Sequence, residues 1–272
     1  MSPDSQAKVK AAYGQAMTAL DGLRDSDRWQ QHLAMQARFH RYSPSNVCLV
    51  MLQCPSASRV AGFHAWRGMG RHVKKGEAGI AILAPHFFKV QSEGTDETTR
   101  ILGGFHVEYV FDVSQTEGEP LPEIAKALEG EEGANLLPIL KTVAGVQVLE
   151  MPMTGTQHGL ARDGQIVIRH GDSPTQQAKT LLHEIAHHRF DHFRTGRADR
   201  YPQGLTVESC REIEAESVAY ITAGYFGLDT STYSLDYLAS RSKGADVKEI
   251  SSLATEIQRV ACSLIDEIEQ AK

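Results

Sequence analysis

The sequence predicts an α+β protein of two domains: an N-terminal α+β domain over residues 1–118, and a mostly helical domain with a small sheet over 119–272. Three observations carry that prediction. Helical stretches occupy both ends of the chain, while strand-like apolar runs cluster between residues 79 and 113. A polar stretch with two prolines, SQTEGEPLP at 114–122, reads as the boundary between them. The charge also changes sign along the chain. Residues 1–90 hold 12 Lys/Arg against 5 Asp/Glu, a net +7, and the remainder holds 16 against 29, a net −13. A segment at +7 suits a polyanion and one at −13 does not.

The elements follow in order. Residues 5–23, rich in Ala, Gln and Lys, predict a first helix, and 27–40 a second, with Trp29, Leu33, Ala37 and His40 at helical spacing. Ser43 and Pro44 read as an N-cap followed by proline at the first helical position, starting a short helix that reaches 53 and stops before Pro55. Runs at 79–83, 87–90 and 104–113 predict a hairpin whose exposed loop is 91–100. Residues 123–140 predict another helix, and 146–149 and 165–169 two strands. The second is expected at a sheet edge, where an extended peptide can add a strand. Ser173 with Gln176 forms a predicted capping box around Pro174. Helices over 174–192, 207–226 and 246–270 complete the chain.

Over its 272 residues the chain is 41% hydrophobic and 23% charged, with a mean hydropathy of −0.31. Those proportions exclude collagen-like, disordered and disulfide-scaffold classes. No apolar run approaches the ~18 residues of a membrane span, so no membrane partner is expected. The opening MSPDSQAKVK lacks the apolar stretch of a secretory signal, which predicts a cytoplasmic protein. Cys48, Cys54, Cys210 and Cys262 form no CxxC pair and read as small buried hydrophobes.

Residues 183–187 are His-Glu-Ile-Ala-His. On a helix, positions i and i+4 share a face, so His183 and His187 can direct two imidazoles at one ion. Glu184 stands beside them as a general base for metal-bound water, the zincin arrangement. With 12 His in the chain, chance predicts only about 0.04 such motifs. The metzincin continuation is excluded, because Phe190 and Phe193 stand where it needs glycine and histidine. His188 and His192 lie off the ligand spacing and are expected at the surface or behind the ligands. The third ligand is expected from the acidic helix about 20 residues on. Glu212 is assigned as ligand, Glu216 as the carboxylate that holds a ligand histidine, and Glu214 as the alternative ligand. Two imidazoles and a carboxylate suit Zn2+, and other divalent metals fit too.

Between residues 59 and 89, six Lys/Arg face a single acid, Glu77, with aromatic residues interspersed. Cations that track phosphates and rings that stack on bases hold single-stranded nucleic acid without reading its sequence. Arg59, Phe63, Trp66, Arg67, Arg71, Lys74 and Lys75 are the expected DNA-binding residues. A solvated basic face with Phe63 and Trp66 in the core is the competing expectation.

Four stretches together resemble the ArdC-like antirestriction proteins: SPSNVCLVMLQCPSASRVAGFHAWRGMGRHVKKGEAGIAILAP (43–85), VFDVSQTEGEPLP (110–122), HEIAHH (183–188) and EIEAESVAY (212–220). The second half is also similar to the ImmA/IrrE metallopeptidases. The resemblance implies an N-terminal single-stranded-DNA-binding domain, a C-terminal zincin-like metallopeptidase domain, carriage on a mobile genetic element and protection of incoming DNA from host restriction. By position it implies His183, His187 and Glu212 as metal ligands and Glu184 as the catalytic acid/base. Two alternatives stand beside a DNA-bound protease of unknown protein or peptide substrate. One is a DNA-coating protein with a structural metal, and the other an ImmA-like protease that cuts a repressor.

Overall fold

The computed structural model describes residues 2–91, 98–121, 132–193, 201–202, 206–231, 233 and 246–272. Their contacts divide the chain into two units. One is Met1–Ala19 with Ser45–Leu121, and the other Leu20–Pro44 with Pro122–Lys272. The expected helix start at 123–131 and most of the expected hairpin loop lie outside the described residues.

In the first unit, helix α1 (Pro3–Asp21) is mostly exposed. It buries Ala12 and Ala16 against Leu49 of α3 (Pro44–Gln53) and Leu83. Helix α2 (Ser26–Arg38) lies between them in sequence. Strand β1 (Val60–Gly62) leads into the short α4 (Phe63–Gly68) and β2 (Arg71–Val73). Strands β3 (Ile80–Gln91) and β4 (Thr98–Asp112) form one long antiparallel hairpin, giving the order β1-β4-β3. The two short runs expected at 79–83 and 87–90 are thus one strand, with a register shift between His86 and Phe87. Pro85 does not end it, because β3 is an edge strand and can spare one N–H.

The SQTEGEPLP stretch departs from the expected linker. Thr116–Gly118 form strand β5, antiparallel to β2. Arg71 holds it there: its guanidinium donates to Thr116 Oγ1 at 2.8 Å, to the Thr116 carbonyl at 3.1 Å, and to the carbonyls of Gly118 and Glu119. Lys74 Nζ donates to the Ser114 carbonyl at 2.8 Å.

The second unit contains α2, α5 (Glu132–Val143), a sheet of β6 (Gln147–Met151), β7 (Gly159–Arg162) and β8 (Gln165–Arg169), then α6 (Pro174–Arg189), α7 (Val207–Tyr225) and α8 (Val247–Gln270). Helix α2, expected in the N-terminal domain over 1–118, clusters with this unit. Its apolar face buries Trp29 and Leu33, and the Trp29 indole donates to Ser217 Oγ of α7 at 3.2 Å. The strand order is β6-β8-β7, with β6 parallel and β7 antiparallel to β8. Strand β8 is therefore central, not the expected edge. Ile166, Val167 and Ile168 are all buried, as a strand covered on both faces requires. Helix α8 buries Ile250, Leu253, Ile257, Val260, Leu264 and Ile268 as a single stripe at helical spacing.

Ser173 caps α6 by accepting the Gln176 N–H at 3.2 Å. The Gln176 side chain turns to Thr180 Oγ1 instead of closing the box. The helix ends at Arg189, short of the expected 192, in a Schellman motif. The His192 N–H reaches the His187 carbonyl at 3.1 Å and the Asp191 N–H reaches that of His188 at 3.0 Å, with Asp191 at φ 57°.

Asp112 closes β4 and ties the chain before β1 to it. Its carboxylate accepts from the N–H groups of Ser58 and Arg59 and from the N–H and hydroxyl of Ser114. Burial alone would raise its pKa, but these donors outweigh burial and hold it below the usual carboxylate range. Asp112→Ala is expected to cost about 1–3 kcal/mol at neutral pH, read by urea unfolding. Because the folded value is depressed, the wild-type advantage is present above the unfolded carboxyl's pKa and fades as pH falls through the folded one.

Candidate functional site

Helix α6 places His183 and His187 one turn apart, with ring centroids 4.7 Å apart and their Nε2 atoms 3.0 Å apart. Helix α7 packs beside it, its Ala215, Ala219 and Ala223 fully buried. Glu212 of α7 brings Oε2 to 3.6 Å from His183 Nε2 and Oε1 to 3.5 Å from His187 Nε2. Donors ~2.0–2.1 Å from a tetrahedral ion stand ~3.3 Å apart. Separations of 3.0, 3.5 and 3.6 Å bracket that value. These three side chains can therefore share one ion with little adjustment, and they form a metal-capable group with donor atoms within 4.8 Å of one another.

The neighbouring carboxylates have separate tasks. Glu216, one turn beyond Glu212, places Oε2 3.0 Å from His183 Nδ1. With His183 Nε2 turned to the donor cluster, Nδ1–H donates to Glu216. Glu214 points elsewhere: it is 2% exposed and accepts from His192 Nε2 at 2.8 Å and from the Tyr201 hydroxyl at 3.0 Å. Both contacts draw it away from the role of alternative ligand. His192 is buried behind His187, and His188 faces the Gln165 carbonyl.

Glu184 is buried at the side of the cluster, with an N–H donor from Ala161 of β7. Burial pushes its carboxyl up to about 6 against the opposing pull of His183 and that N–H. Burial, reinforced by positive charge on His183, holds His187 neutral, with a pKa lowered to about 2. A neutral ring is the form that ligates. Burial likewise raises Glu212, opposed by His183 and aided by Glu208 and Glu216.

A cleft of about 200 Å³ opens beside the cluster, with His158, Gly159, Thr180, His183, Glu184 and Tyr233 among its lining residues. Strand β7 forms one side of it. The sequence offered little sign of that strand, whose four residues are too few to alternate clearly. Its Gly159 is the informative residue, since a Cβ there would lie 2.4 Å from Thr180 Cγ2 and 2.8 Å from Glu184 Oε1.

The expected DNA-binding residues separate into two groups. Trp66 is fully buried and its indole donates to the Phe111 carbonyl at 2.9 Å, so it is a core residue and not a stacking platform. Arg71 and Lys74 are engaged with β5 and the turn before it, as described above. Arg67, Lys75 and Phe63 are exposed and Arg59 is half-buried. The exposed aromatic surface lies further along, on the β3–β4 hairpin. Phe87, Phe88, Phe105 and Tyr109 are each about half exposed there.

Residues 20–142 match the N-terminal domain of the anti-restriction factor ArdC, and residues 142–258 match the IrrE N-terminal-like domain, Peptidase_M78. An uncharacterized protein of Bacillus anthracis, pXO2-81, is 26% identical over 282 residues, covering 86% of this chain and 46% of its own length. The chain thus spans about half the length of that relative. The metal-free crystal structure of antirestriction ArdC protein from the R388 plasmid superposes with a TM-score of 0.48 at 20% identity, covering 84% of this chain and 85% of that one. Its Mn(II)-bound structure gives 0.47 at 16% identity, covering 85% and 84%. Among the described residues, no helix is long and apolar enough to cross a membrane.

Gly159→Ala is expected to push β7 off α6 and cost about 1–3 kcal/mol, the usual penalty of overpacking. A lowered melting temperature of the metal-free protein checks this.

Proposed function

We propose that this chain, whose two parts match the ArdC N-terminal and IrrE N-terminal-like domains, is an antirestriction-type protein that binds single-stranded DNA through its first unit and hydrolyses a peptide bond at a divalent metal held by its second. One observation carries the hydrolytic part: two imidazole nitrogens and one carboxylate converge at ligand separations, with a buried carboxylate beside them in a cleft. His183, His187 and Glu212 would hold the ion, zinc or another divalent metal. The donor set fits, being three groups that leave a position open for water or substrate. A bound ion would supply Lewis acidity, polarising the scissile carbonyl and acidifying water.

The protein's own groups do the rest. Glu184 takes the proton of the attacking water and delivers it to the leaving amine. Its burial beside Gly159 keeps it close to the cluster and out of bulk solvent. Glu216 fixes the His183 ring by accepting its Nδ1 proton. Strand β7 is an edge of its sheet and borders the cleft, so an extended peptide could lie along it.

For DNA, the exposed rings of Phe87 and Phe88 with Phe63, and the cations Arg67, Lys75, Lys89 and Arg100, support sequence-tolerant binding. Trp66, Arg71 and Lys74 serve the fold that presents them.

Glu184→Gln should retain the metal of the wild type and lose peptide hydrolysis by ~10²–10⁴, with metal content and cleavage of a peptide library measured on the same samples. Full antirestriction in that variant would transfer the function to DNA coating. Phe87→Ala with Phe88→Ala should weaken oligonucleotide binding by ~1–3 kcal/mol per lost stack without lowering the melting temperature. Trp66→Ala should instead unfold the first unit. Fluorescence anisotropy and thermal melts separate the two effects.

A further inference from the structure

A proton-ordering chain runs from His187 away from the cleft into the interior. We propose that His192 and Glu214 form a buried relay that fixes the proton of His187 on Nδ1 and leaves its Nε2 lone pair free for a metal ion. Both are then positioning residues of the site. The inference rests on the metal-binding reading above and adds to it what sets the second histidine.

Each step of the relay fixes the next. His187 can offer Nε2 to an ion only if its proton sits on Nδ1, and a buried N–H needs an acceptor. The atom facing it is Nδ1 of His192, at 2.8 Å. To accept, that nitrogen must be unprotonated, so the His192 proton lies on Nε2. Nε2 in turn faces Glu214 Oε2 at 2.8 Å. Glu214 Oε2 closes the chain as acceptor, and the Tyr201 hydroxyl donates to the same oxygen at 3.0 Å. With an ion on His187 Nε2, the one proton of that ring must lie on Nδ1, and the order His187 to His192 to Glu214 is then the one that satisfies these contacts. His183 obtains the same result in a single step, since its Nδ1 faces Glu216 directly.

The backbone explains how His192 comes to stand there. Five residues past His187, it would point elsewhere on a continuing helix. The Schellman turn at Asp191 folds the chain back, so the His192 N–H bonds the His187 carbonyl while its ring stacks on Phe190, 5.2 Å between centroids and 8° from parallel. His192 and Glu214 are 5% and 2% exposed, so water competes little for either contact.

The test compares wild type, His192→Phe and His192→Gln. The readouts are zinc affinity by competition with a chromogenic chelator, the visible spectrum of Co(II)-loaded protein, and the melting temperature without metal. Phenylalanine keeps the stack on Phe190 and cannot accept the proton. Glutamine can accept from His187 with its oxygen and donate to Glu214 with its amide. We expect His192→Phe to bind zinc ~10–100-fold more weakly with an altered Co(II) spectrum, and His192→Gln to stay within a few-fold of wild type.

Wild-type affinity in His192→Phe overturns the relay and leaves the metal reading standing, as does a glutamine variant as weak as the phenylalanine one. A wild type that binds neither metal overturns the reading beneath, and the relay with it. Should His192→Phe melt far below wild type, Glu214→Gln decides, because its amide can donate to His192 and reverse the proton order. Weaker zinc binding supports the relay and unchanged binding overturns it.

Discussion

The close approach of α6 and α7 is the constraint on which the site depends. An ion held by nitrogens from one helix and an oxygen from the other tolerates only tenths of an ångström in their separation. Helices packed through large side chains stand ~10 Å apart, and smaller residues bring them toward ~8 Å. Helix α7 carries fully buried Ala215, Ala219 and Ala223 and α6 carries fully buried Ala178 and Ala186, small residues that permit such an approach. The sheet supports α6 from another side, and Gly159 lets β7 come close enough to cover Glu184. A methyl group at the wrong one of these positions would displace a ligand without touching it.

Helical phase then divides the labour among neighbouring glutamates. Glu212, Glu214 and Glu216 alternate along α7, yet two residues of helix turn a side chain by roughly 200°. Glu212 and Glu216 therefore share the face turned to the histidines, while Glu214 faces the opposite way, into the interior. A carboxylate buried to 2% exposure is costly unless paired, and His192 and Tyr201 supply the pairing. Three residues of one type in one short segment thus hold three different partners.

The same physics decides what could be read from the sequence. His183, His187, Glu212 and Glu216 were legible because i, i+4 spacing on a helix fixes relative direction before any tertiary contact is known. The α+β class was legible from the periods of the apolar residues. Trp66 was not, because composition cannot tell a buried ring from an exposed one, and a tryptophan among arginines looks the same in either case. Arg71 likewise looks like a phosphate ligand until its guanidinium is seen around the carbonyls of β5. Strand β7 has only four residues, and β8 reads as an edge strand unless β7 is known to pair with it. The turn that returns His192 was hidden because aspartate, not glycine, occupies its left-handed position.

Charge balance unites these features. Glu184, Glu212, Glu214 and Glu216 surround His183, His187 and His192, four carboxylates against three imidazoles, most of them largely removed from water. Burial raises both Glu184 and Glu212, and Glu216 adds to the rise of Glu212, so the folded chain resists full ionisation of its own acids. Imidazolium ions would relieve this, but His187 is held neutral by burial and by its histidine neighbours. A compact site that keeps His187 neutral, favours the charged form of His183 and gathers four carboxylates is short of positive charge where its donors meet. A divalent cation would supply that charge where the ring nitrogens and Glu212 converge. On the proposed reading, Glu212 would then serve as ligand, Glu216 as orienting group and Glu184 as base of a single centre.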